Sequence, residues 1–408
     1  MKIKTFQFML FILLSGSAFG QQSLTQQQAV QAALDNNLMV KAGEYQVAGQ
    51  KELKQTAFDL GKTNVTWMHG QFNSVLDDNN YTITQSIPFP TVMSSQAKLA
   101  NAQIATAETQ LTLTKNELVK SVRSVYSHLA YLLALHNELI QQDSVFSRFA
   151  KASEVNHRLG EGTLLEMTSA KTQWMEIRNQ LMQNESDISI YKRELRTLLN
   201  VQQEINPTDA HQKIEPLEHT PSIDDNPQLQ LLNQEINVAY RAKRLEQNKL
   251  LPDIMLGYFT QSLIGFQRID NQEVFFDKND RFTGFQVGVS FPLWFVPQRS
   301  RSKAAALTEE SSTKKYEFYH HQLEGDLQRA QLQLAKSANS LEFYERNANE
   351  NANLLLRQSQ KSFEEGEIGY LEFLLATSQA RAIKFKYLEM INQYNQAAIQ
   401  LDYLTGKF

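Results

Sequence analysis

The chain of 408 residues contains no cysteine, which excludes disulfides, thiolate metal sites and a lipidated N-terminal cysteine. Past residue 20 it has no run of ~18 apolar residues, so no membrane-spanning helix is expected. It has no basic excess, its formal net charge being -4, and nothing favours nucleic acid as a partner. A GxxxxGK[ST] phosphate loop, an HExxH pair and a nucleophile elbow are all missing, which disfavours an enzyme and leaves no visible use of ATP or of a cofactor. Proline and glycine are scarce, at 9 and 16 residues. Residues 93–158 hold neither.

That stretch predicts one helix of roughly 100 Å at 1.5 Å per residue, a rod that must meet other rods in an elongated fold. Leu111, Leu118, Val122, Val125, Leu129, Leu132, His136 and Leu139 follow the 3.5-residue repeat of a coiled-coil seam. Val119, Tyr126, Leu133 and Ile140 form a second line beside it. Two seams on one helix suit a ring of helices, with a long dimeric coiled coil as the competing arrangement.

Residues 1–20 read as a secretory signal peptide: Lys2 and Lys4, an apolar run from Phe6 to Leu14, then small residues. Its removal takes the net charge from -4 to -6. The rest is written twice, as residues 21–200 and 226–408 around a polar segment 201–225 that reads as a linker or collar. Each half offers a helical entrance, a β-hairpin and a long helical hairpin. The first half has strands at 63–72 and 81–89 and helices across 93–199; the second has strands at 254–262 and 282–294 and helices across 298–404. Thr25 is placed as the N-cap of the opening helix. NPQLQLL at 226–232 lies 189 residues after Asn37, and Pro292 lies 204 after Pro88. Pro88 and Pro90, and Pro292 and Pro297, are expected to end strand pairing and release the chain into the long helices. The second long helix carries the seam Leu323, Leu327, Ala330, Leu334, Ser337, Leu341, Tyr344, Ala348, Asn351 and Leu355. Gly160 and Gly162 in the first half, and Gly366 and Gly369 in the second, allow these rods to reverse, with Gly162 matched to Gly366.

The strands alternate. Val65 and Trp67, then Tyr81, Ile83 and Ile87, then Phe285, Val287, Val289 and Phe291 fall on one face, against Thr82, Thr84, Ser86, Gln286, Gly288 and Ser290 on the other. Their lengths approach the ~9–11 residues of a tilted transmembrane strand. Four strands cannot close a barrel, so entry into a membrane forces oligomerisation. Trp67, Tyr81, Tyr258, Phe259, Trp294 and Phe295 are candidates for interfacial belts. A soluble sandwich edge remains the alternative on alternation alone.

LTQQQAVQAALDNN at 24–37, the NPQLQLL…LLPDI run, the proline exits SIPFP and SFPLW, and the paired GEGTLLEMTSAKTQ and GEIGYLEFLLATSQ segments together resemble the TolC-like outer membrane efflux protein family. The resemblance spans the chain from Leu24 to the closing LDYLTGKF. It implies a mainly α fold with a small β part, in a homotrimer whose twelve strands close one outer-membrane barrel above a periplasmic α-helical barrel. It further implies a passive exit duct partnered by outer-membrane lipid, a periplasmic adaptor and an inner-membrane transporter of resistance-nodulation-division type, exporting small molecules or metal cations. A type I protein secretion duct is one alternative, and a secreted coiled-coil scaffold or adhesin without a pore is the other.

The resemblance also places the gate and the adaptor contacts at the helical tips. Glu166 and Glu372 occupy positions similar to the family's acidic gate residues, with ordinary solvated glutamates as the alternative; Leu375 stands where many relatives carry a second acid. The tip turns 159–164 and 365–370 are the expected adaptor surface, and Arg158 is expected to reach an acid on a neighbouring helix. The 8 histidines read as satisfied or solvated. His320 and His321, being adjacent, are expected to point apart on their helix.

Overall fold

A computed structural model of the chain describes residues 22–209, 211–214 and 222–407. The signal peptide, part of the 201–225 segment and Phe408 lie outside the described residues. Among those described, no helix is long and apolar enough to cross a membrane. Helix dominates. It is divided between two compact units that cut across the two sequence halves: residues up to 37 with 118–216 and 333–399, and residues 38–117 with 217–332 and 400–408.

The first unit opens with β1 (Gln22–Leu24) and α1 (Gln26–Asn36). Thr25 caps α1 in a reciprocal capping box with Gln28. The long helix α3 runs unbroken over 70 residues, Pro90–Leu159, and its stretch beyond residue 117 belongs to this unit. The seam residues Leu118, Val122, Val125, Leu129, Leu132 and Leu139 are buried there. The second line is buried at Val119 and Tyr126 but exposed at Ile140, so its lower end finds no cover within the chain. Helix α4 (Leu164–Leu199) returns beside it, and buried Asn184 donates to the Leu132 carbonyl at 3.1 Å.

The described part of the segment after α4 packs onto β1, α3 and the helix Tyr370–Leu404. Its strand β4 (Ile205–Pro207) pairs in parallel with β1. Tyr126 donates its hydroxyl hydrogen to the Leu24 carbonyl at 2.8 Å, and Asn395 holds both Ile214 N–H and the Gln212 carbonyl at 2.8 Å.

The second unit holds α2 (Leu38–Leu53), a 3₁₀ turn (Lys54–Phe58) and α5 (Pro227–Asn248) around a four-stranded antiparallel sheet. Its strands are β2 (Asn64–Gly70), β3 (Asp78–Ile87), β5 (Asp253–Gln261) and β8 (Phe282–Ser290), in the order β2-β3-β5-β8. β8 stops at Ser290 rather than running to 294, because Pro292 has no N–H to give a ladder. β3 begins earlier than residue 81, since Asp78 accepts from Ser262 Oγ at 2.9 Å and Ile264 N–H at 2.8 Å and so ties the hairpins together. Pro90 is the first residue of α3, and Pro297 lies in the first turn of α6 (Phe295–Phe343), where a missing N–H costs nothing. The long tip between β5 and β8 contains a further hairpin, β6 (Gly265–Ile269) and β7 (Gln272–Phe276). Asp270 and Asn271, at φ 51° and 70°, make its two-residue turn.

Ile223, Leu229, Leu323, Ala330 and Leu404 form this unit's main helical core. In the first unit Leu341, Met390, Ile391 and Tyr394 form another. Between α6 and α7 (Asn349–Glu364) lies one π turn, Tyr344–Ala348. Its i→i+5 spacing adds a residue to the seam. The position after Ala348 that is buried is therefore Ala352 rather than Asn351, which is exposed.

Two half-buried histidines, His128 and His211, are expected to make the first unit pH-sensitive. His128 lies between Tyr191 and Tyr131, at 4.4 and 5.5 Å between ring centres, and its Nδ1 accepts from the Asn392 amide at 3.1 Å. His211 donates from Nε2 to the Leu388 carbonyl at 2.9 Å. Burial pushes both imidazoles below the usual 6.5, against the opposing pull of Asp187 and Glu194 on His128 and of the Leu388 carbonyl on His211. A histidine with a depressed folded pKa contributes stability that is present above 6.5 and lost as pH falls through the folded value. Each tenfold loss of proton affinity is worth about 1.4 kcal/mol. The melting temperature is expected to fall as pH drops below 6.5, and His128→Asn with His211→Gln is expected to flatten that slope in a pH series of thermal melts.

Candidate functional site

Two surfaces carry functional geometry: the reversals of the long helices and the four-stranded sheet. At the first reversal α3 ends on Gly160, whose φ of 80° is open to glycine without penalty. Glu161 N–H closes a six-residue bond onto the Asn156 carbonyl at 2.9 Å, the Schellman pattern. At the second reversal Gly366 has φ 74°, and Glu367 N–H reaches the Ser362 carbonyl at 2.8 Å. The matching glycines are therefore Gly160 and Gly366, not Gly162 and Gly366. Gly162 serves another purpose, because a Cβ there would stand 3.3 Å from the Asn156 Cβ and the His157 nitrogen.

Both glutamates are bound to the turns they follow. Thr163 Oγ accepts from Glu166 N–H at 3.2 Å, while the Glu166 carboxylate accepts from Thr163 N–H at 2.9 Å. The Glu372 carboxylate accepts from Gly369 N–H at 3.2 Å in the same position of α8 (Tyr370–Leu404). Each thus closes a helix N-terminus and gains from the positive end of the helix dipole. Glu372 is exposed and Glu166 half-buried. Arg158 pairs with Glu154 one turn back on its own helix, at 3.2 Å, and not with a neighbouring helix.

Behind the turns sits an aromatic cluster that the seam pattern did not reveal. Phe149 stacks on Tyr370 and Phe373 at 4.9 Å and tilts against Phe363 at 5.0 Å. Burial, with Glu166 adding to it, pushes the Tyr370 hydroxyl up to about 12. Around this packed base Leu159, Leu164, Leu165, Leu371 and Leu375 are exposed. Three exposed leucines at the first reversal and two after the second make these ends of the rods unusually apolar.

The sheet is sided in the same manner. Its register sets Val65 opposite Ile83, Ile83 opposite Tyr258, and Tyr258 opposite Phe285, so the apolar residues form continuous rows. They are exposed: Phe285 at 85%, Val287 at 77% and Val65 at 66%. The other face carries Thr66, Thr82, Thr84, Gln286 and three glycines. Phe259 lies on this face rather than among the belt aromatics, since a Cβ on Gly284 would meet its ring at 2.6 Å. Met255 covers Gly288 likewise, at 2.8 Å. Trp67, Tyr81, Tyr258, Trp294 and Phe295 remain exposed. Among the described residues β2 and β8 each pair on one side only, leaving two sheet edges with unmatched backbone groups.

The comparisons with known proteins agree with this geometry. Residues 222–407 match the outer membrane efflux protein family model. No curated protein matches the chain by sequence. Among solved structures, the outer-membrane channel OprN superposes with a TM-score of 0.76 at 14% identity, over 94% of this chain and 90% of its own. CusC superposes at 0.77 with 12% identity, over 94% and 92%. VceC from Vibrio cholerae superposes at 0.74 with 15% identity, over 94% and 96%. Residues 222–407 are thus similar to the outer membrane efflux protein family, and over 94% of its length the chain has the fold of the solved outer-membrane proteins OprN, CusC and VceC.

Proposed function

We propose that this protein is the passive outer-membrane exit duct of a tripartite efflux system, assembled as a homotrimer. The observation that carries the reading is the four-stranded sheet with an exposed apolar face, an opposite face of threonines, glycines and Gln286 crossed by Phe259 and Met255, and two unpaired edges. In lipid such edges are intolerable, and closure is the remedy a sheet has. Three copies of four strands give twelve, within the range of outer-membrane barrels. Exposed apolar residues along the helices supply matching contacts for neighbouring copies: Met175, Met182 and Ile190 on α4, and Leu307, Phe318 and Leu332 on α6.

The helical tips, with their exposed leucines and with Gly160, Gly162, Gly366 and Gly369 setting the turns, are the docking surface for a periplasmic adaptor. Glu372, and secondarily Glu166, supply the acidic ring of the gate. The inner-membrane transporter provides energy and selects the cargo, small molecules or metal cations. The similarity of residues 222–407 to the outer membrane efflux protein family supports efflux ahead of type I protein secretion. The test is native mass spectrometry of the detergent-purified protein, followed by planar-bilayer conductance. A trimer that inserts and conducts is expected. A protein that stays soluble and carries no current is instead a secreted scaffold, and the duct reading fails.

A further inference from the structure

Helix α6 carries a cluster that the duct does not use. His320 Nδ1 lies 3.6 Å from one Glu324 carboxylate oxygen, and His321 Nδ1 lies 3.4 Å from the other. One ligand atom from each of the three residues can be chosen so that all lie within 4.8 Å of one another. The two imidazoles therefore do not diverge as adjacent residues on a helix would suggest. Glu324 is four residues from one and three from the other, and both spacings fall on the same helical face. Glu317, three residues before His320, is paired with Lys314 at 2.8 Å, whereas Glu324 meets both histidines.

We propose that His320, His321 and Glu324 form a surface site for a borderline divalent transition cation, Zn²⁺ or Cu²⁺. The donor set of two imidazoles and one carboxylate suits these ions and neither Ca²⁺ nor Mg²⁺, which favour oxygen. Zinc–ligand distances of about 2.0–2.1 Å in a tetrahedron place the ligand atoms about 3.3 Å apart. The two histidine–glutamate separations already stand close to that edge. Small rotations of the half-buried His320 and the exposed His321 and Glu324 bring the imidazole pair to the same spacing, and water completes the shell. All three residues lie on one helix, so no second copy or transport partner is required, and the site is independent of the duct reading.

The test is isothermal titration of ZnCl₂, and separately CuCl₂, into the full chain purified in detergent without a histidine tag. The parent is expected to bind one ion per chain at this site. His320→Ala, His321→Ala and Glu324→Gln are each expected to weaken that binding at least ~10-fold, with unchanged far-UV circular dichroism and melting temperature in metal-free buffer. A rise in melting temperature with ZnCl₂ in the parent, lost in the variants, is the second readout. Binding that is equal in the parent and the three variants assigns the ion to other histidines and overturns the proposal. So does the absence of saturable binding.

Discussion

Gly406→Ala is expected to unseat the C-terminus of α8, while Asn200→Gly at the end of α4 is expected to cost a few tenths of a kcal/mol. Both helices end on a residue in the left-handed region, Gly406 at φ 67° and Asn200 at φ 51°. Both return to an asparagine at the start of another helix. Asn226 caps α5 by accepting from Leu229 N–H at 3.0 Å, and donates to the Leu404 carbonyl at 3.0 Å. Asn37 donates to the Leu198 carbonyl at 3.0 Å. The difference lies in how closely the backbones approach. Asn200 keeps a side chain, and its amide donates to the Asn36 carbonyl at 3.2 Å. At Gly406 a Cβ would stand 2.2 Å from the Asp225 carbonyl oxygen and 3.2 Å from Pro227 Cδ.

A backbone carbonyl cannot turn aside as a side chain can. The alanine must therefore move α8 away from α5, which opens the Asn226–Leu404 bond and the core of Ile223, Leu229, Leu323 and Leu404. Left-handed strain of ~1–2 kcal/mol and overpacking of ~1–3 kcal/mol add to ~2–5 kcal/mol. In thermal melts of the two purified variants, Gly406→Ala should fall well below the parent and Asn200→Gly should remain within a degree or two. Equal melting temperatures would show that the Asp225 contact relaxes freely.

The rods and reversals were legible because their signals are local. A stretch without proline or glycine, a 3.5-residue seam and a glycine followed by a capping residue each act within a few turns of chain. Helices α4 and α8 accordingly end at 199 and 404, where the pattern places them. The π turn was not legible, because nothing in Tyr344–Ala348 distinguishes those residues from ordinary helix formers. It shows only as a one-residue slip that brings Ala352 inward. The mismatch of Gly162 with Gly366 has a similar origin: two glycines lie close together in each turn, and only the backbone angle tells which one the reversal requires. Phe259 was assigned by residue type, although its place in the alternation sets it opposite Thr82 and Gly284. The convergence of His320 and His321 was hidden because helical spacing fixes Cβ directions and leaves the rotamers free.

Glu372→Gln is expected to change the pore without loosening its tip, and Glu372→Ala is expected to do both. The Glu372 side chain has two separable properties. As an acceptor it holds Gly369 N–H at 3.2 Å, and a glutamine oxygen holds that bond equally well, which is why capping boxes accept either residue. As a charge it contributes, in the proposed trimer, one of three carboxylates around the axis. Three negative charges brought together attract cations and repel one another. Removing only the charge should therefore lower cation selectivity and abolish block by divalent or trivalent cations in planar bilayers, with the melting temperature held. Removing the acceptor as well should add a local cost of ~0.5–2 kcal/mol, as loss of a cap does elsewhere, and should appear as faster hydrogen exchange at residues 366–373. Glu166→Gln, with its carboxylate bound to Thr163 N–H at 2.9 Å and half-buried beside Tyr370, is expected to change conductance less. If Glu372→Gln conducts and is blocked as the parent is, the carboxylate is a cap and nothing more. The gate must then be sought in the exposed leucines at 371 and 375, which would close the passage by excluding water rather than by charge.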